Sequence, residues 1–258
     1  MKNKPSRWNL LSYFTGLIVM LMLIFSCGEG GDDTVPNPSG PVDPNAIKIM
    51  PLGASRVEGA RPDFESYRYE LWKLMVDQGW NFDFIGTMRD GSSYPAHANQ
   101  NFDNDHEGRG GWTSGQIRQG ISTWLSEAGA PDIVLLSSPG GNDGLNGSSF
   151  SQAVDNINAI IDAIQAVNPN VTIIIEQMAP AHSSANTSQL ESYMLQMNQA
   201  VLTMATEQST NTSKVLTVDM NSGFTDSLLA DDVHYNEAGA VFIAQRYFNV
   251  LRAEFSSN

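Results

Sequence analysis

The chain is 258 residues long and carries 14 Lys+Arg against 28 Asp+Glu, a formal net charge of −14. A charge of that sign repels phosphate backbones and anionic lipid surfaces, which excludes a nucleic-acid-binding protein. With 41% apolar residues the chain can bury a real core, and its one cysteine excludes an internal disulfide framework and a Cys-rich zinc site.

Residues 1–26 read as a targeting segment. Lys2, Lys4 and Arg7 precede an apolar run from Leu17 to Phe25. The run is short for a membrane span, which needs about 20 residues, and fits the core of a signal peptide. It ends in Ile24-Phe25-Ser26-Cys27, which resembles a bacterial lipobox and implies cleavage before Cys27 and lipidation of its thiol. The expected location is therefore extracytoplasmic, at the outer membrane or cell surface, with membrane contact only through the lipid anchor. An uncleaved N-terminal anchor gives the same side of the membrane. Residues 27–46 are mostly Gly, Asp, Pro, Ser and Asn, a composition that cannot offset its own ordering entropy and predicts a flexible tether.

From Ile47 onward short apolar runs alternate with helical patterns. Strands are expected at Ile47–Met50, Phe82–Ile85, Asp132–Ser137, Val171–Glu176 and Val215–Val218. Helices are expected over Ser66–Gln78, Ser114–Ala128, Phe150–Val167, Asn186–Glu207 and Asn236–Glu254. Five strands separated by helices predict an α/β domain spanning 47–258, with a five-stranded parallel sheet covered on both faces. In such a sheet a site gathers at the carboxyl ends of the strands. Polar segments fall there: Gly53-Ala54-Ser55, Gly140 to Asp143, and Asp231 to His234, with Asp103 to Thr113 closing a long loop.

A serine is a poor nucleophile without a base in reach, and the chain has four histidines to supply one. Asp231 stands three residues before His234, a spacing that lets one turn bring a carboxylate to Nδ1–H and leave Nε2 free as base. Asp232 competes for that role. No Gly-x-Ser-x-Gly elbow surrounds Ser55, because position 57 is Val, so an α/β-hydrolase elbow is absent. The Asp103-Asn104-Asp105-His106-Glu107 cluster lacks the spacing of a twelve-residue Ca²⁺ loop and reads as a solvated loop shaping the cleft. Asp143 reads as structural, bonding backbone in its own loop. His97 and His182 read as loop residues.

Four blocks in order carry a resemblance. Pro51-Leu52-Gly53-Ala54-Ser55, the Gly110-Gly111-Trp112-Thr113 segment, Gly141-Asn142-Asp143 and Asp231-Asp232-Val233-His234 resemble the motifs of SGNH (GDSL-type) hydrolases. The stretches IKIMPLGAS, SYRYELWKLMVDQGWNFDFIG and DHEGRGGWT are similar to acetylxylan esterases of carbohydrate esterase family 3. The resemblance implies a flavodoxin-like three-layer α/β/α sandwich. It also implies Ser55 as nucleophile, His234 as base, Asp231 as its orienter, and an oxyanion hole made by the Ser55 and Gly111 N–H groups with the Asn142 amide. Gly108 and Gly110 are rivals for the place of Gly111. Trp112, Tyr235 and Arg56 are expected to bind substrate, an O-acetylated plant polysaccharide. Hydrolysis through an acyl-Ser55 intermediate calls for no cofactor and no metal, and a monomer is expected. The rate should be greatest where imidazole is neutral.

The family's first block usually has Asp where this chain has Ala54, and Arg56 or Glu58 is expected to take over the lost hydrogen bonding. Three rival functions remain open. One is another acyl substrate (a lysophospholipid, thioester or aryl ester), against which the Gly/Ser/Asn-rich loops argue. The others are acyl transfer to a sugar or peptidoglycan, and a silent glycan-binding lipoprotein.

Overall fold

Elements alternate along the chain in a computed structural model that describes residues 43–255. They run β1 (Ile47–Gly53), α1 (Ser55–Glu58), α2 (Arg68–Asp77), β2 (Phe82–Phe84), β3 (Met88–Arg89), β4 (Asp105–Gly108), α3 (Ser114–Ala128) and β5 (Ile133–Leu136). They continue with α4 (Gly141–Leu145), α5 (Phe150–Val167), β6 (Thr172–Gln177), α6 (Ser188–Gln208), β7 (Lys214–Asp219) and α7 (Glu237–Phe255). The leader, Cys27 and residues 27–42 of the expected tether lie outside the described residues. Residues 43–46 do not behave as tether: Asn81 Nδ2 donates to Asp43 Oδ2 at 2.9 Å, and Ala46 is buried. Among the described residues no helix is long and apolar enough to cross a membrane.

The sheet is parallel through β2, β1, β5, β6 and β7, as the alternation of strands and helices predicts. Its strands are apolar on both faces because helices cover both. Met50, Leu52, Val134, Leu136, Ile173 and Ile175 face α3, α5 and α6, while Ile49, Ile133, Leu135 and Ile174 face α2 and α7. The two sets alternate along each strand, which is the period-two pattern of a pleated ribbon. Three layers result.

The strand count is a correction: seven strands rather than five share the sheet. Both additions lie in the long loop after β2. β4 pairs in parallel with the end of β1, Leu52 opposite Glu107 and Gly53 opposite Gly108, and β3 pairs with β4 in antiparallel sense. The segment expected to be a solvated loop is thus β4 with its flanks, and His106 and Glu107 are fully buried. Glu107 is fully partnered inside the fold, and His106 is partnered through Nδ1 while its Nε2 is buried without a partner. Gly108 N–H donates to His106 Nδ1, and Glu107 accepts from Thr87 and Arg109. Burial drives the His106 imidazole down to about 2, with the Arg68 and Arg109 charges adding, so it is neutral.

Gly108 has a steric reason. A Cβ there would lie 2.4 Å from the Glu58 nitrogen, so only glycine lets α1 rest on β4. That contact brings the nucleophile turn beside the long loop.

Candidate active site

Ser55 opens α1 directly after β1, at the carboxyl edge of the sheet. Its Oγ lies 2.8 Å from His234 Nε2, and His234 Nδ1 lies 2.7 Å from Asp231 Oδ2. With the carboxylate as acceptor, Nδ1–H donates and Nε2 is left to accept the serine proton. The other Asp231 oxygen accepts the N–H groups of Val233 and His234, at 2.9 and 2.7 Å, so one turn fixes both the carboxylate and the ring. Burial acts to raise the Asp231 carboxyl, but the Val233 N–H, the His234 ring and the His234 N–H outweigh it and hold it below its ordinary value. Asp232 takes no part in this turn's side-chain bonding; its carbonyl accepts His182 N–H.

Phe64 stacks on the His234 ring at 3.8 Å between centroids and 14° between planes. The sequence reading missed this residue. It sits on the loop after α1, and Glu65 N–H donates to Tyr235 O, which docks that loop onto the histidine turn.

The three glycines that compete for the second donor are separated by their partners. Gly108 N–H is spent on His106, and Gly110 N–H donates to Glu58 Oε2 at 2.6 Å. Gly111, at φ 76°, and Ser55 have N–H groups with no acceptor in range among the described residues. Asn142 Nδ2 donates to Trp112 O at 2.8 Å, which leaves its second N–H unspent. Next to it, Asp143 accepts Ser114 N–H and Ser114 Oγ–H at 2.7 and 2.9 Å. Asp143 is therefore structural as expected, but it anchors the start of α3, 29 residues away, rather than its own loop.

Two expected substrate contacts are corrected. Arg56 is only 8% exposed. Its guanidinium donates to Val233 O (2.8 Å), Ala179 O (2.9 Å), Pro180 O (3.1 Å) and Ser138 Oγ (3.3 Å). It lies 4.8 Å above the Tyr235 ring, which is itself wholly buried. Both are buried, and Tyr235 does not reach the cavity, whereas Arg56 lines it with its guanidinium spent on the protein's own carbonyls. Trp112 lines the same cavity with Ser55 and Asn142 and packs on Trp124 at 5.6 Å.

Below Arg56 lies Glu176, fully buried at the end of β6. It accepts Ser138 N–H at 2.7 Å, and burial pushes its carboxyl up against the opposing pull of that N–H. Ser138 takes φ 46°, left-handed for a non-glycine, so a buried carboxyl holds a strained turn beside the cavity. Among the described residues no group of three or more His, Cys, Asp or Glu side chains is arranged to hold a metal ion.

The sequence profile of the GDSL-like lipase/acylhydrolase family matches residues 76–241. The chain belongs to that family. The GDSL match starts beyond Ser55, so the serine's place rests on the geometry above. Three solved structures are similar over nearly their whole length. A mutant acetyl esterase with an acetate ion shares 28% identity at TM-score 0.70, covering 81% of this chain and 98% of that one. A carbohydrate esterase family 3 protein from Talaromyces cellulolyticus shares 28% at 0.69, covering 82% and 99%. A family 3 carbohydrate esterase from Clostridium thermocellum shares 32% at 0.64, covering 81% and 98%. No match was found among curated proteins. Family and neighbours together make this GDSL protein a carboxylic ester hydrolase.

Proposed function

We propose that the protein removes O-acetyl groups from polysaccharides or their oligosaccharides through an acyl-Ser55 intermediate. The observation that carries the reading is the continuous chain from Ser55 Oγ to His234 to Asp231, at 2.8 and 2.7 Å, beside two uncommitted backbone N–H groups. Ser55 Oγ attacks the ester carbonyl while His234 Nε2 takes its proton. The oxyanion that forms is met by the Ser55 and Gly111 N–H groups and the free Asn142 N–H. Collapse forms acyl-Ser55, and the same proton goes to the departing sugar hydroxyl. Water then repeats the sequence and releases acetate. Each such donor is worth roughly 10²–10³-fold in rate.

The carbohydrate side of the reading is supported by the two family 3 carbohydrate esterases among its neighbours. Trp112, at the cavity lining, offers a flat apolar face of the kind sugars stack on. The lipobox-like Ile24–Cys27 segment supports a lipid-anchored, extracytoplasmic enzyme with its hydrolase domain beginning near Ile47. The test is acetate release from acetylated xylan by the full chain beside Ser55→Ala. Release by the first alone is expected. Turnover of p-nitrophenyl acetate without release from xylan would discard the substrate and keep the esterase.

A further inference from the structure

A cavity of about 60 Å³ runs inward from Ser55 and Asn142. Buried Arg56, Ser114, Ser137 and Asp143 line part of it, and most of the remaining wall is Ile117, Leu136, Ile157, Met178, Leu190 and Met194, contributed by α3, β5, the segment after β6, α5 and α6. All six are 9% exposed or less. The Gly/Ser/Asn-rich loops that argue against an acyl channel form only its mouth. The deep part is made by helix and strand residues that, in sequence, look like ordinary core.

Apolar walls favour an apolar occupant, and about 10–15 Å³ of such space holds one water-sized group. Some four groups fit, where the methyl of an acetyl ester would fill one and the three carbons beyond a butyryl carbonyl would fill most of the space. Nucleophile and oxyanion amide stand at the mouth, so the group that enters is the acyl side of the ester and not the alcohol.

We propose that this cavity is an acyl pocket for straight chains of about four carbons, so that the enzyme prefers butyryl to acetyl esters. The inference rests on Ser55 as nucleophile and enlarges the acyl half of the substrate named above. Burying each added methylene contributes about fourfold, so two of them give a butyrate-to-acetate ratio in kcat/KM of about 16-fold. Longer chains overrun the pocket, and octanoate should fall below butyrate.

The test uses the full chain with p-nitrophenyl acetate, butyrate and octanoate, which share one leaving group. A butyrate-to-acetate ratio above one, with octanoate below butyrate, supports the pocket. A ratio of one or less, or octanoate equal to butyrate, overturns it. Two variants act on the wall. Ala181 is also in the lining, and Ala181→Leu fills the cavity and should bring the ratio below one. Met194→Ala enlarges it and should move the optimum to a longer chain, and it decides the matter if Ala181→Leu does not fold. Turnover of acetate with refusal of butyrate sinks this inference and leaves the esterase reading intact. No turnover of any of the three esters sinks both.

Discussion

Replacing Glu58 by Ala removes the acceptor that holds Gly110 N–H at 2.6 Å and leaves every other contact of that residue's backbone in place, including the Arg68 bond to Glu58 O. Gly110 immediately precedes Gly111, whose N–H is the second donor of the proposed oxyanion hole. Gly111 sits at positive φ with nothing within 4 Å of where a Cβ would be, so no packing holds this turn from that side. A hydrogen bond to a charged group contributes about 1.5–3 kcal/mol. If that restraint is what aims the Gly111 N–H, its loss costs about 10- to 100-fold in kcat. The ceiling is the 10²–10³-fold of a donor removed outright. KM should hardly move, because the oxyanion exists only in the transition state. The assay is kcat and KM on p-nitrophenyl acetate for the native chain, Glu58→Ala and Glu58→Gln, with melting temperatures recorded in parallel. Gln keeps an acceptor oxygen and should restore most of the rate. A Glu58→Ala kcat within threefold of native, or a loss confined to KM, would refute the reasoning. It would leave the gap at Ala54 without a replacement.

Other consequences follow from the same geometry. Asp231→Ala should lower kcat by about 10³-fold, less than for a buried orienter because this carboxylate is half exposed, whereas Asp232→Ala should stay within a few-fold. Equal losses in both would break the assignment. Arg56→Met leaves one buried and two part-buried carbonyls without that donor and should destabilise by about 3 kcal/mol, roughly 10 °C in melting temperature. A melt within 2 °C of native would show the staple to be idle. Burial, aided by Asp105 and Asp83 against the pull of the Phe84 and Asp105 N–H groups, raises the Asp103 carboxyl from 3.8 to about 7. Its contribution to stability is complete below pH about 4 and is lost as pH rises through about 7, a span worth at most about 4 kcal/mol. Denaturant melts of Asp103→Asn should therefore be flatter than native between pH 4 and 8, and parallel curves would count against this.

How much was legible from residues alone depended on whether the partners of a group lie near it in sequence. Ile133–Leu136 and Thr172–Gln177 announce themselves because strands buried on both faces are simply apolar runs. The Asp231–His234 turn was legible because its bonding is local. β4 was not: Asp-His-Glu-Gly has the composition of a loop, and what makes it a buried strand is Thr87 and the end of β1, 20 or more residues away in the chain. Arg56 and Tyr235 misled through adjacency: each follows a proposed catalytic residue in a tight turn, yet each is buried by partners distant in sequence, Val233 and Ala179 for Arg56 and Phe224 for Tyr235. Phe64 and the cavity walls gave no signal at all. An aromatic on a loop and a run of Ile, Leu and Met at helical spacing look the same whether they face a cleft or a core.

The nucleophile and its base are 179 residues apart, Ser55 after the first strand and His234 just before the last helix. A chain in the course of synthesis therefore presents its serine early but has no general base until nearly every residue has been made and the terminal helix has docked. Hydrolysis is in this sense a signal of completed folding. A product cut short before Asp231 would lack the proposed base and its orienter and, with them, the helix α7 that covers Ile49, Leu135 and Ile174.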